Sequence, residues 1–515
     1  MNTTSKGRSA YKQLLGRIRE ASLLGTTASL LHWDQQAMMP PRGLAHRSKQ
    51  IAQLARLAHE METDPNIGQF LDQCEADDEL MADSLGDQAV NVREIRRNYE
   101  RATKLPVALV EELAQTSSVA QGEWAEARRT NDYSRFQPWF TKLVDLQRQK
   151  ADCLGWERSH PSGGGEPWDA LADDFEPGCT AKQTEAIFAP LRVQLVIFIE
   201  ELMSSRRPPS EALLRLNFET ERMKPFVKSV AEHIGFDFAS GRLDKSTHPF
   251  CSGMHCHDVR MTTRYCEANP VEPLFSTIHE TGHGLYGQGL PHEHMGTPLG
   301  WSVSLGIHES QSRMWENLVG RSLPFWRWCL PKLRQYFGSA ATGLSLEDAY
   351  AGANLVKPAF IRIEADEATY NLHIMVRFEI ERALMNGDLT VADVPGVWNE
   401  KYNQYFGLDI PDDTRGCLQD IHWSQAGIGY FPTYTLGNLY AAQFFAKALA
   451  DIPDLHDQFA QGEFATLRSW LHEHIHRHGM RYRAAELCER VTGEPPSAAP
   501  FMHHLEDKLR PIYGL

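Results

Sequence analysis

The sequence predicts a mainly α-helical fold with a small β-element. Apolar residues recur at helical spacing through most of the 515 residues, and one short stretch alternates polar and apolar residues instead. No internal repeat and no low-complexity segment breaks this pattern. The helical elements therefore carry most of the predicted core, and the alternating stretch is the one predicted strand.

Two helices in the first half of the chain are predicted from periodicity and capping. Residues 9–33 place Leu14 and Ile18 on one face of an amphipathic helix. Thr180 opens a capping box that leads into a strongly apolar helix ending near Leu202.

Residues 258–265 are predicted to form the strand, because polar and apolar side chains alternate from Asp258 to Tyr265. A strand here would lie just before the next predicted helix. It could bind an extended peptide by pairing along its edge, independently of the peptide's sequence. The alternative is a short structural hairpin in a helical protein.

The predicted helix at residues 273–289 carries the pentad His-Glu-Thr-Gly-His at positions 279–283. On a helix, His279 and His283 share one face and can reach the same metal ion. A catalytic zinc ion takes three protein ligands and a water molecule, whose pKa falls to about 7. Glu280 lies one position further round and can accept that water's proton. The pattern predicts a metallopeptidase of the zincin type, and the alternative is two partly exposed histidines beside a surface glutamate.

The third metal ligand is predicted to come from a second helix at residues 306–313. Glu309 would complete a set of two histidines and one glutamate. His308 is the rival ligand, and adjacent helical positions point about 100° apart, so only one of the two faces the metal. The spacing does not choose between them. Gly282 is a small residue at a position where a bulky side chain would crowd the neighbouring wall of a cleft.

Composition limits the partners and the compartment. The formal charge of −15 argues against nucleic acids and anionic membranes as partners. No apolar run reaches the roughly 18 residues of a membrane span, and the polar N-terminus lacks the apolar core of a signal peptide. Nine thinly spread cysteines do not form a disulfide framework. Cys251 and Cys256 are close together, but no second pair completes a zinc knuckle. We expect a cytoplasmic protein.

Arg362 stands between two isoleucines, which predicts a strand position with the guanidinium directed away from solvent. Its planar fork of donors suits a bidentate contact with the terminal carboxylate of a substrate. The alternative is an internal salt bridge to Glu364, Asp366 or Asp258. Arg260 is a second candidate for substrate binding, followed by Arg264.

Polar residues in two further apolar segments, 416–423 and 429–434, are either core hydrogen-bond networks or parts of a cleft. Tyr430 is expected to donate a hydrogen bond to the oxyanion that forms during hydrolysis, with His248 and His422 as helpers.

Taken in order, six motifs resemble those of the carboxypeptidase Taq family of metallocarboxypeptidases. They are His248-Pro249-Phe250, Asp258-x-Arg260-x-Thr262, the pentad at 279–283, His308-Glu309-Ser310-Gln311, Ile361-Arg362-x-x-Ala365-Asp366 and Gly416-x-x-Gln419-Asp420-x-His422-Trp423. Residues 31–35 and the segment around Tyr430 extend the resemblance over most of the chain.

The resemblance implies a helical, saddle-shaped fold with a deep central groove and a small sheet beside the metal. It implies one domain over residues 1–515, with two helical lobes flanking the groove, and a homodimer. It implies that Glu309, rather than His308, is the third ligand, and that the metal is zinc, with cobalt or manganese as substitutes. The expected activity is the release of single residues from peptides with a free C-terminus, with broad specificity.

Two other functions fit the residues less well. A zinc endopeptidase, oligopeptidase or aminopeptidase would share the metal site, but an aminopeptidase needs acidic groups for the substrate amine. The arginines near the metal motifs favour binding of a carboxylate. A non-catalytic metal-binding protein would have four protein ligands, often including cysteine, and here no cysteine fits the pattern.

Overall fold

A computed structural model describes residues 3–157, 164–267, 269 and 271–515 of the chain. In these residues α-helices predominate, as the sequence predicts. The helices are α1 (Thr3–Ala37), α2 (Leu44–Glu62), α3 (Pro65–Glu75), α4 (Asp78–Met81), α5 (Asp87–Lys104), α6 (Val107–Thr130), α7 (Tyr133–Leu154), α8 (Pro167–Ala172), α9 (Ala181–Met203), α10 (Thr220–Ile234), α11 (Val271–Gly289), α12 (Leu305–Arg313), α13 (Leu323–Phe337), α14 (Leu346–Ala353), α15 (Tyr370–Asn386), α16 (Val394–Phe406), α17 (Pro432–Asp451), α18 (Leu455–Gln461), α19 (Ala465–His474), α20 (Ala484–Thr492) and α21 (Ala499–Tyr513).

The chain divides into two compact units. The first comprises Met1–Thr103, Ser210–Ala353 and Ala441–Pro495, and the second comprises Lys104–Pro209, Asn354–Tyr440 and Pro496–Leu515. The first unit holds α1–α5, α10–α14 and α18–α20, and the second holds α6–α9, α15, α16 and α21. None of the helices in the described residues is long and apolar enough to cross a lipid bilayer.

A three-stranded sheet lies in the first unit. Its strands are β1 (Gly241–Lys245), β2 (Cys251–His255) and β3 (Asp258–Thr263), in the order β1-β3-β2. β3 pairs with β1 in parallel and with β2 in antiparallel orientation. The predicted strand is therefore confirmed. Because β3 is the central strand, both its edges are already hydrogen-bonded, and edge pairing with a peptide is open only to β1 or β2.

The sheet packs against α11. Val259 and Met261 of β3 are buried in a small core with Phe236. The hydroxyls of Thr263 and Ser276 lie 2.7 Å apart and tie the end of β3 to the first half of α11. The strand thus fixes the position of the helix that carries the predicted metal ligands.

Two of the helices follow the sequence prediction closely. The periodic stretch 9–33 lies within α1, and the Thr180 hydroxyl accepts the backbone N–H of Gln183 at the start of α9. The prediction for Arg362 was wrong in one respect. Arg362 begins a short 3₁₀ turn, Arg362–Glu364, and is not in a strand. The backbone N–H of Ala365 bonds to the carbonyl oxygen of Arg362, and Ile363, which a buried strand would cover, is exposed.

Candidate metal centre

The predicted ligands are brought together by a close approach of α11 to α12. An added Cβ at Gly282 would lie only 2.5 Å from the backbone oxygen of Gln311 and 2.6 Å from the Cα atom of Ser312. Glycine is therefore required for the contact, and the crowded wall is α12 itself. The Ser304 hydroxyl accepts the N–H of Ile307 and sets the start of α12.

Three donor groups converge between these helices. The Nε2 atoms of His279 and His283 lie 3.8 and 3.4 Å from Oε2 of Glu309, and the three ligand atoms lie within 4.8 Å of one another. A tetrahedral zinc ion with N and O ligands at about 2.1 Å separates the two donors by about 3.4 Å. The side chains present therefore fit a single ion of this size.

A second carboxylate orients His279. Glu316 lies on a π-helical turn, Met314–Gly320, directly after α12, and its Oε2 is 2.9 Å from Nδ1 of His279. Nδ1–H donates to this carboxylate, which leaves the Nε2 lone pair facing the other ligands. Such carboxylate–histidine pairs fix the tautomer and raise the basicity of metal-binding imidazoles.

Arg313 joins the two carboxylates. Its Nε donates to Oε1 of Glu309 at 2.7 Å, and its Nη1 donates to Oε2 of Glu316 at 3.3 Å. Burial opposes the ionisation of both acids, but Arg313 and the histidines outweigh it and hold the pKa of each carboxyl well below its usual range. Glu309 therefore stays anionic, with one oxygen held by Arg313 and the other facing the histidines.

Glu280 is buried beside this set. Its Oε2 has no hydrogen-bond partner among the described residues, and burial raises its pKa while His279 and His283 oppose the shift. A buried carboxylate oxygen without a partner is costly unless a ligand uses it. The side chain is thus free to take a proton.

Two other histidines considered for the site, His308 and His248, are outside the three-donor cluster. The His308 ring stacks on His283 with centroids 4.4 Å apart, and it is not part of the three-donor cluster. His248 is an exposed residue of the loop between β1 and β2, where its backbone oxygen accepts the Ser246 hydroxyl.

Arg362 lies in the second unit, in a buried ion-pair network. Its Nε and Nη2 donate to Oδ1 of Asp420 at 3.1 and 2.8 Å, and its Nη1 donates to the Tyr370 hydroxyl. Arg377 donates to Oδ2 of the same aspartate at 2.7 Å. The guanidinium is turned away from solvent, as predicted. An internal salt bridge exists, but its partner is Asp420 and not one of the three acids considered from the sequence.

Tyr430 and His422 line one cavity of the second unit, together with Lys150 and Asp174. Their ring centroids are 5.2 Å apart. Burial lowers the pKa of His422 to about 4, although Asp420 opposes the shift. The imidazole is therefore neutral near pH 7.

Both remaining candidate arginines are paired within the first unit. Arg260 makes a bidentate contact with Asp258, at 2.8 and 3.0 Å, and its guanidinium covers the Trp33 ring at 4.4 Å. Arg264 pairs with Glu272.

Comparison with known proteins assigns the family. The sequence model of the carboxypeptidase Taq (M32) metallopeptidase family matches residues 13–509 of this chain. Thermostable carboxypeptidase 1 of Thermus thermophilus is 46% identical over 98% of this chain and 99% of its own length. Carboxypeptidase 1 of Bacillus subtilis is 34% identical over 98% of this chain and 99% of its own length. The crystal structure of the M32 carboxypeptidase from Deinococcus radiodurans superimposes with a TM-score of 0.92, at 39% identity over 98% of this chain and all of that one.

The chain belongs to the carboxypeptidase Taq (M32) family. It is a metallocarboxypeptidase, a hydrolase that acts on peptide bonds and depends on a metal ion. The resemblance drawn from the six motifs is confirmed.

Sequence reasoning missed several residues of these clusters in the enzyme. Glu316 and Arg313 follow Glu309 by seven and four residues, but the π-helical turn that directs Glu316 towards His279 has no sequence signal. The sequence pattern places Asp420 only within a polar segment and indicates no role for Arg377. Arg377 stands in the middle of α15, between the buried Val376 and Phe378, and this was the available signal for a buried ion pair.

Proposed function

We propose that His279, His283 and Glu309 bind one zinc ion, and that the enzyme uses it to remove single residues from the C-termini of peptides. When bound, zinc supplies Lewis-acid polarisation of the scissile carbonyl and lowers the pKa of a coordinated water molecule. Cobalt or manganese can replace it, because ligand type ranks these metals only loosely.

The convergence of the two Nε2 atoms on Oε2 of Glu309 carries this proposal. Arg313 prevents Glu309 from using both oxygens on the metal, because it holds Oε1. Glu316 holds the His279 ring in the tautomer that presents Nε2. The site is therefore organised by a layer of charged groups outside the three ligands.

Glu280 acts as the general base in this proposal. Its buried Oε2 accepts the proton of the attacking water and afterwards passes it to the leaving amine. Tyr430, helped by His248 and His422, is proposed to donate hydrogen bonds to the oxyanion. Tyr430 offers a phenol on a half-exposed side chain that lines a cavity.

Metal content tests the ligand assignment. His279→Ala, His283→Ala and Glu309→Ala should each lower tightly bound zinc and activity together. His308→Ala is the matched control, because His308 stacks on His283 but is outside the donor cluster. Near-normal zinc retention in Glu309→Ala, combined with loss of zinc in His308→Ala, would overturn the assignment.

A pair of substrates tests the mode of cleavage. An N-blocked dipeptide with a free carboxylate should be hydrolysed, and its C-terminal amide should be a poor substrate, in zinc-loaded enzyme only. Equal hydrolysis of both would indicate an endopeptidase. Arg362 and Arg260 are the proposed contacts of the terminal carboxylate, and each already binds an aspartate.

Three further properties are part of the proposal. The family match over residues 13–509 supports one metallocarboxypeptidase domain spanning residues 1–515. The nine cysteines are free thiols, which supports a reducing, cytoplasmic location. A homodimer follows from the family resemblance alone, and light scattering of the purified enzyme would test it.

A further inference from the structure

A second group of metal-binding side chains lies at the turn between β2 and β3. His255 ends β2, and Cys256 and His257 form the turn before β3 begins at Asp258. Within the described residues, one donor atom from each of His255, Cys256 and His257 lies within 4.8 Å of the others. The only other cluster of three or more such donors in that part of the chain is the candidate catalytic set.

The distances match those that a metal ion imposes. The Sγ atom of Cys256 is 3.7 Å from Nδ1 of His255. A tetrahedral zinc ion, with Zn–S of about 2.3 Å and Zn–N of about 2.0–2.1 Å, separates sulfur and nitrogen by about 3.6 Å. The Nδ1 lone pair now accepts the N–H of His257 at 3.1 Å. That N–H is exposed and can exchange its bond for one to water.

His292 supplies a fourth ring. It begins a 3₁₀ turn, His292–His294, and its centroid lies 5.4 Å from that of His255 and 4.9 Å from that of His257. Structural zinc sites have four ligands, commonly a mixture of cysteine and histidine. A rotation of the exposed His292 side chain is enough to complete such a set.

We propose that His255, Cys256 and His257, with His292 as the fourth ligand, bind a second metal ion, a soft or borderline divalent ion such as zinc. Thiolate together with imidazole selects such ions over magnesium or calcium. Binding deprotonates the Cys256 thiol, and the proton passes to solvent, so occupancy rises with pH.

The turn that carries the proposed second site borders a cavity that the candidate catalytic site also lines. One cavity of the first unit is lined by Cys251 and His255 of β2, by Cys256, and by His283 and His308. An ion at the turn would fix β2, which forms one wall of the cavity that His283 also lines. It would do so without contacting the catalytic ligands.

Metal stoichiometry tests the proposal. Enzyme stripped with a chelator and dialysed against zinc or cobalt should bind two equivalents. Cys256→Ser and His257→Ala should each bind one, and His257 is exposed, so its replacement leaves the core intact. Cys266→Ser, a cysteine of the same unit outside the cluster, is the matched control and should keep both equivalents.

Cobalt absorption separates the two sites. A thiolate ligand gives a sulfur-to-cobalt charge-transfer band that a set of two histidines and one glutamate lacks. The band should remain in His283→Ala, which lacks a ligand of the proposed catalytic site, and should vanish in Cys256→Ser. Absence of the band from the cobalt-loaded wild type, or survival of the band in Cys256→Ser, would overturn the proposal.

Discussion

Glu316→Gln tests whether the carboxylate behind His279 tunes the metal site. The carboxylate lies 2.9 Å from Nδ1 of His279 and also contacts Arg313 and Arg321, at 3.3 and 3.1 Å. Gln keeps the shape but removes the charge that raises the basicity of the imidazole. Replacement of such an outer carboxylate costs about 10–100-fold in metal affinity, or about 1.4–2.7 kcal/mol.

The assay is the zinc concentration that restores half of the activity of metal-free enzyme, checked by competition with a chelator. Glu316→Gln should require about 10–100-fold more free zinc and should regain most of its activity at saturation. Glu272 lies on the same helix as His279 and pairs with Arg264. Glu272→Gln removes this ion pair and should bind zinc like the wild type. An unchanged zinc requirement in Glu316→Gln would refute the reasoning.

Three further changes have defined outcomes. Arg362→Ala should lower the free energy of unfolding by roughly 3 kcal/mol, because buried Asp420 loses one of its cations. If Arg362 also binds substrate, cleavage of free peptides should weaken by about 2–4 kcal/mol and that of C-terminal amides should not, whereas equal losses assign it to the scaffold. Tyr430→Phe should lower kcat more than it raises KM, and a change in KM alone would contradict an oxyanion contact. Burial raises the pKa of Glu381 from 4.5 to about 7, although hydrogen bonds from the N–H groups of Gly429, Trp423 and Trp168 oppose the shift. Ionisation of Glu381 is therefore disfavoured in the folded state. As the pH rises from 4.5 through 7, the free energy of unfolding of the wild type, measured with denaturant, should fall by about 3 kcal/mol relative to that of Glu381→Gln. Parallel pH profiles of the two proteins would contradict this.

The helices and the strand were predictable because their signals are local. The spacing in residues 9–33 and the alternation in 258–265 report which side chains face the core, and both elements form where expected. The pentad at 279–283 needed only the helical repeat to place two imidazoles on one face.

The surroundings of the site were not predictable, because they depend on contacts between segments distant in sequence. The rotation of α12 about its axis decides whether Glu309 or His308 joins the cluster with His279 and His283, and α12 is positioned by the close packing of Ser312 against Gly282. Asp420 reaches Arg362 across 58 residues. The two isoleucines beside Arg362 suggested a strand, but Arg362–Glu364 form a 3₁₀ turn in which Ile363 is exposed.

The most direct test of the account is Glu280→Gln in zinc-loaded enzyme. Gln keeps the size of the side chain and removes the proton acceptor at Oε2. Zinc content should equal that of the wild type, and kcat for an N-blocked dipeptide with a free carboxylate should fall by about 10² or more. Turnover within a few-fold of the wild type, with zinc retained, would contradict the role of Glu280 and with it the proposed mechanism.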